Sequence, residues 1–173
     1  HNGKEETTTM VLIPLVRQAV SLPLIAAGGI ASGRAMAAAM ILGAEGVQVG
    51  SRFVASIESS AHPAFKQAIL DAGDGSTHLI LKKLVPVRLL KNKFYHRINE
   101  MEINGASKEE LSEYLGKGRA QTGMFEGDTE EGELEIGQAA ALIRELKPAA
   151  TIVAEMITDW EGWYSPPNTE IIE

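Results

Sequence analysis

The sequence predicts an α/β fold with parallel strands, and three observations carry that expectation. Two short apolar runs, Leu24-Ile25-Ala26-Ala27 and Gly46-Val47-Gln48-Val49, end in small residues at Gly28-Gly29 and Gly50-Ser51. A helical pattern with its own start and stop signals lies between them. From one tip to the next is one helix-plus-strand repeat, so both strands run the same way and finish at the same edge of a sheet.

Each element follows from its local chemistry. Residues 8–20 place Met10, Leu12, Ile13, Leu15, Val16 and Val20 at helical spacing, with Thr7 to Thr9 available as caps. Pro23 opens the first apolar run, which reads as a parallel strand buried on both faces. Ser32 caps a helix over Arg34 to Leu42, and Gly43 stands where a left-handed C′ residue is wanted. Gly46 to Val49 is the second strand.

The pattern changes after Phe53. A helix is expected over Pro63 to Ala72, then a turn at Asp71 to Gly75. Residues 77–90 read as extended, interrupted at Pro86, and residues 94–120 as two helical pieces broken at Asn104-Gly105. Ser107 and Glu110 form a capping box for the second piece. An acidic loop from Glu126 to Gly132 leads to a helix over about 133–146, carrying Leu134, Ala139, Leu142, Ile143 and Leu146. Pro148 opens a last amphipathic helix whose stripe is Ile152, Met156, Ile157 and Trp160. The division expected is an α/β part with the ligand loops over 1–75, a small, mostly helical insertion or lid over 76–125, returning helices over 126–160, and a flexible tail over 161–173.

Composition narrows the function classes. The net charge of -7 runs against nucleic-acid binding, and the basic residues Lys82, Lys83, Arg88, Lys91 and Lys93 alternate with apolar ones as on a solvated edge. No apolar run approaches the roughly 20 residues of a membrane-spanning helix. Cysteine is absent, which removes thiolate chemistry and fits a cytoplasmic setting. His62, His78 and His96 are not spaced as metal ligands, so no metal site is expected. The carboxylates from Glu126 to Glu135 read as a solvated loop.

The chemistry concentrates at the strand tips. A glycine pair directly after a strand lets a ligand approach the backbone, and N–H groups beside a helix start suit a phosphate. A bare Gly-Gly turn is equally a tight connection needing positive φ. Two adjacent tips of this kind favour the phosphate, and Ser51 adds a hydroxyl. No Gly-Lys-Ser/Thr follows either tip, so neither is a P-loop, and the glycine spacing does not match the dinucleotide fingerprint. Arg34 and Arg52 either lend charge near the phosphate or pair with Glu45 or Glu58.

The stretch Leu24 to Phe53, LIAAGGIASGRAMAAAMILGAEGVQVGSRF, resembles the signature of nitronate monooxygenases, also called 2-nitropropane dioxygenases. It is equally similar to that of their relatives, the FMN-dependent enoyl-acyl-carrier-protein reductases. HPAFKQAIL at 62–70, PVRLLKNKF at 86–94, EGDTEEGELEIGQAAALI at 126–143 and KPAATIV at 147–153 continue the resemblance in the family's order. The fold it implies is the C-terminal part of a (β/α)8 TIM barrel with a small, mostly helical insertion.

That resemblance assigns roles. Gly28, Gly29, Gly50 and Ser51 match positions that bind the FMN phosphate, with Gln48 on the strand leading in. His1 matches the catalytic histidine of a Gly-Gly-His-x-Gly element, continued here by Asn2-Gly3; the two preceding glycines are not in the chain. Gly137-Gln138 falls on a motif that faces the ligand in relatives, or else packs a helix. The activity implied is flavin-dependent oxidation of alkyl nitronates by dioxygen, with a small-molecule substrate and a homodimer left open. The first alternative is reduction of an enoyl thioester with NAD(P)H, toward which Pro86 to Glu102 leans. The second is phosphate-ligand or partner binding without turnover. Two strands cannot close a barrel, so the residues are expected to be one piece of a longer polypeptide, paired with a missing N-terminal half.

Overall fold

The computed structural model describes residues 7–163. Helix α1, Thr9–Ala19, leads into strand β1, Ile25–Ala27. Helix α2, Gly33–Ile41, follows, with the Ser32 hydroxyl accepting from Ala35 N at 3.2 Å and Gly43 at φ +110° ending it. Strand β2, Gly46–Gln48, lies parallel to β1, pairing Ile25 with Gly46, Ala26 with Val47 and Ala27 with Gln48.

One face of this two-stranded sheet is packed. Ala26 is buried with Ile13 of α1, Ala39 of α2, and Ile152 and Met156 of the last helix, α8, Ala149–Trp163. Close approach brings α8 onto α2: a Cβ at Gly33 would stand 2.2 Å from the Met156 carbonyl, which only glycine avoids. The opposite face is open. Ile25 is 56% exposed, and Ala27 and Gln48 are exposed beside it. The expectation of a strand buried on both faces is corrected: within residues 7–163 the sheet has cover on one side only.

Beyond β2 the chain turns through a one-turn helix, α3, Ser51–Val54, into α4, Pro63–Leu70. Strands β3, Thr77–Ile80, and β4, Val87–Leu90, form an antiparallel hairpin, with Ile80 opposite Val87 and Thr77 opposite Leu90. Helices α5, Lys93–Ile103, and α6, Lys108–Leu115, close over it. Ile80, Leu89, Phe94, Ile98 and Leu111 make a core of their own there. The Ser107–Glu110 capping box is present in both directions. A short helix, α7, Arg119–Met124, returns the chain to a third core built from Phe65, Ile69, Leu134 and Ile143.

The helix expected over 133–146 is not formed. Residues 133–136 are extended beside β4, with Leu90 N donating to Leu134 O and Ile136 N to Arg88 O, and the regular part is a 3-10 helix, Gln138–Leu142. The free edge of β4 supplies backbone partners that a helix would have had to provide internally. Two smaller differences concern α8. Ile157 is more than a third exposed while Ile152 and Met156 carry the packing. Glu161 to Trp163, expected in the tail, form the last turn of α8; the rest of that stretch lies outside the described residues.

Candidate phosphate-binding site

The register of β1 and β2 sets the site. Ala27 pairs with Gln48, so where the two chains leave the sheet Gly28 comes level with Val49 and Gly29 with Gly50 on adjacent strands. Gly28 and Gly29 adopt φ +105° and +77°, a region that other residues enter only with strain. A Cβ built at Gly29 or at Gly50 meets nothing within 4 Å, so both tips face open space. Gly50 opens α3, whose first N–H groups have no intrahelical acceptor.

Neighbouring groups fix this shape. Thr9, read from sequence as a cap, instead donates its hydroxyl to the Gly28 carbonyl at 3.0 Å, tying the start of α1 to the first tip. At the second tip the Ser51 hydroxyl oxygen accepts from Gly137 N at 3.2 Å, which leaves its own proton to donate outward. A side chain at Gly137 would crowd that oxygen, with Cβ at 3.0 Å. Gln138 is exposed. Gln48 lies on the open face of the sheet, on the same side as Ala27.

The structure therefore brings together five of the six residues singled out: Gly28, Gly29, Gln48, Gly50 and Ser51. His1 lies outside the described residues. Neither arginine pairs as expected. Arg52 is buried and donates to the Glu145 carbonyl at 3.1 Å. Arg34 lies over the Trp163 ring at 4.3 Å, and its backbone N–H reaches Asp159. Glu45 is taken by Arg17, and Glu58 accepts from Ala149 N.

Two features escaped the sequence. Lys66 is buried, and its ammonium donates to the carbonyls of Ser56, Ile57 and Ser59, clamping the loop that follows α3. The signal was its place between Phe65 and Ile69 on the packed side of α4. Glu133 and Glu135 were read as part of a solvated loop. Glu133 is 9% exposed, and burial, then the nearby Glu135, push its carboxyl up to about 7, against a smaller opposing pull from Arg119. Burial also raises Glu135.

The other histidines have structural neighbours. His62 caps α4, its Nδ1 accepting from Ala64 N. His78 lies 2.6 Å from the Tyr95 hydroxyl; burial, then Lys91, lower its pKa. Among the described residues no three His, Cys, Asp or Glu side chains gather as a metal site would require, and no helix is long and apolar enough to cross a membrane.

Parallel strands joined through a helix, with open small-residue tips at one edge, define an α/β unit, an arrangement in which ligands commonly sit beyond the strand ends. The comparisons place it more closely. The nitronate monooxygenase family profile matches residues 1–159. The chain belongs to the nitronate monooxygenase family. A probable nitronate monooxygenase of Staphylococcus aureus is 33% identical over 155 residues, covering 86% of this chain and 42% of that protein. One from Bacillus subtilis is 48% identical over 77 residues, covering 44% of this chain and 22% of that protein. Among solved structures, FabK from Thermotoga maritima superposes with TM-score 0.85 at 43% identity, over 91% of this chain and 50% of that one. Nitroalkane oxidase from Streptomyces ansochromogenes gives 0.71 at 31%, over 90% and 44%. The chain thus spans half or less of the length of these relatives, and its α/β fold matches about half of their barrels without closing one.

Proposed function

We propose that this chain forms the FMN-phosphate end of a flavin-dependent nitronate monooxygenase acting on alkyl nitronates with dioxygen. The observation that carries the reading is the level pair of tips. Gly29 and Gly50 open on empty space where a Cβ would otherwise stand, and the Ser51 proton is free to point at a phosphate oxygen. These residues fit a phosphate monoester held by backbone N–H groups and one hydroxyl. FMN, when bound, supplies the electron transfer; the chain supplies position. Gly28 and Gly29 would admit the phosphate, Gly50 and Ser51 would hold it, and Gln48, exposed on the open face beside Ala27, would lie on the strand leading in.

His1 is assigned the catalytic role: holding the anionic nitronate, or taking a proton from the neutral nitroalkane. Support for nitronate as substrate comes from the curated relatives of Staphylococcus and Bacillus, each described as a probable nitronate monooxygenase. One feature favours the enoyl-thioester reductase instead: Pro86 to Glu102, which forms β4 and most of α5, resembles that branch. The open face at Ile25 and Ala27 is assigned to the remaining strands of a barrel.

The discriminating experiment compares oxygen uptake on propionate 3-nitronate with NAD(P)H oxidation driven by crotonyl thioester. Nitronate-dependent uptake is expected. Uptake indifferent to nitronate sinks the monooxygenase, and a purified protein without yellow flavin absorbance sinks both flavin readings.

A further inference from the structure

The segment that leaves the second strand tip is held from outside, in part by a buried cation. Helix α3 has only four residues and no side-chain cap at Gly50, too little to fix its own place. At its start the Ser51 hydroxyl accepts from Gly137 N. On its flank Arg52 donates to the Glu145 carbonyl, and beyond its end Ile57 N donates to the Lys147 carbonyl. Lys66 of α4 adds three bonds more. Its ammonium lies 2.7 Å from the Ser56 carbonyl, 3.1 Å from that of Ile57 and 2.8 Å from that of Ser59.

This lysine differs from an ordinary packed side chain in three ways. It is 6% exposed, and among the described residues no carboxylate pairs with it, although a buried charge is normally matched by an acid. Its three donors meet three backbone acceptors, so the ammonium is satisfied and held in one orientation. The base it projects from is firm, since Phe65 and Ile69 of α4 are buried in one core with Ala55, the residue that ends α3. A methionine would fill the same space without desolvating a charge. What the charge adds is a fixed direction for three carbonyls, all within the stretch that follows α3.

We propose that Lys66 is a positioning residue for the phosphate tip: its ammonium locks the Ser56–Ser59 carbonyls to α4 and so holds Gly50 and Ser51 where a phosphate monoester meets them. The inference rests on the FMN-phosphate reading of the tips. Lys66 acts through the backbone of α3 and not through a contact with the ligand, so its influence is confined to the phosphate. Linkage then requires a bound phosphate to tighten the clamp in return.

The test titrates FMN and riboflavin into the whole protein and into K66M, which keeps the volume of the stem and removes the charge, with folding checked by circular dichroism. FMN affinity should fall about tenfold or more in K66M, the scale of losing hydrogen bonds made by a charged group. Riboflavin has the same ring without the phosphate, and its affinity should be equal for both proteins. The unmodified protein gives a second measurement that needs no variant: acetylation of Lys66 by acetic anhydride, followed by peptide mass spectrometry. FMN should slow it at least about fivefold and riboflavin should not, with exposed Lys91 and Lys108 reacting as before. Equal loss of FMN and riboflavin in folded K66M, unchanged FMN affinity in K66M, or Lys66 acetylation indifferent to FMN would overturn the proposal. A parent that binds no FMN overturns the flavin reading and this inference with it; a parent that binds FMN no better than K66M does overturns the role of Lys66 alone.

Discussion

Among the described residues two small sheets reach different degrees of completion. The β3–β4 hairpin is antiparallel and joined by a short turn, so its pairing is local, and α5 and α6 follow at once to cover it. Leu89 in its centre is fully buried. The β1–β2 pair is parallel, and α2 must cross over between its strands. Its helical cover comes partly from α8, more than a hundred residues later, and only on one side. Antiparallel pairing lets a segment finish its own core; parallel pairing leaves strands dependent on neighbours further along the chain. The candidate phosphate tips belong to the dependent sheet.

The largest expected effect tests the self-contained sheet. Leu89→Ala should lower unfolding free energy by about 2–5 kcal/mol, the range for emptying a fully buried leucine site. Denaturant titration followed by far-UV circular dichroism measures it. A loss below about 1 kcal/mol would mean that the hairpin core collapses around the gap and is far looser than its burial implies.

The other sheet should respond in binding rather than stability. Gly50 has φ -106°, a value open to any residue, and its Cβ direction is empty. Gly50→Val should therefore fold with stability within about 1 kcal/mol of the parent. It should weaken FMN binding by at least about tenfold, because the added methyls occupy the space assigned to the phosphate. Flavin absorbance on titration reads this directly. Unchanged FMN affinity would move the phosphate away from the strand tips.

These tips were the most legible part of the sequence. Glycines after short apolar runs, the Ser32 cap and the Ser107–Glu110 box are local signals, and the local backbone obeys them. The misreadings have a common cause in partners distant along the chain. Leu134, Ala139 and Ile143 mimic a helical stripe, but β4, more than forty residues earlier, captures residues 133–136 as an extended strip. The period-two order Glu133-Leu134-Glu135-Ile136 was the available signal, masked by the helical spacing around it. Arg52, read either as lending charge near the phosphate or as pairing with Glu45 or Glu58, makes neither ion pair and reaches the Glu145 carbonyl. Leu24 to Ala27 is apolar on both faces, and that pattern anticipates cover that residues 7–163 provide on one side alone.

The captured strip gives a pH-dependent difference between the two regions. Burial raises the Glu133 pKa to about 7 in the folded protein, above its value in the unfolded chain. The folded state therefore holds the proton more tightly, and Glu133 contributes stability at low pH that is lost as pH climbs through about 7. Glu133→Gln removes this slope. The variant should be more stable than the parent at about pH 8, with the gap closing toward about pH 5, in thermal unfolding across that range. A gap that does not change with pH would show Glu133 to be solvated when folded.

The smallest expected effect bears hardest on the comparison. Ile25 is in the middle of the molecule by sequence pattern, an isoleucine inside an apolar strand, and an ordinary core isoleucine cut to alanine costs about 2–5 kcal/mol. Here its side chain is 56% exposed on the open face of β1, so few contacts are lost. Ile25→Ala in this chain should change unfolding free energy by less than about 0.5 kcal/mol, the surface range. The same change in a protein whose barrel is complete should restore the core value, because strands on that face would bury the residue. A core-sized loss in this chain alone would mean that something already covers the open face, and the contrast between a finished and an unfinished sheet would fall with it.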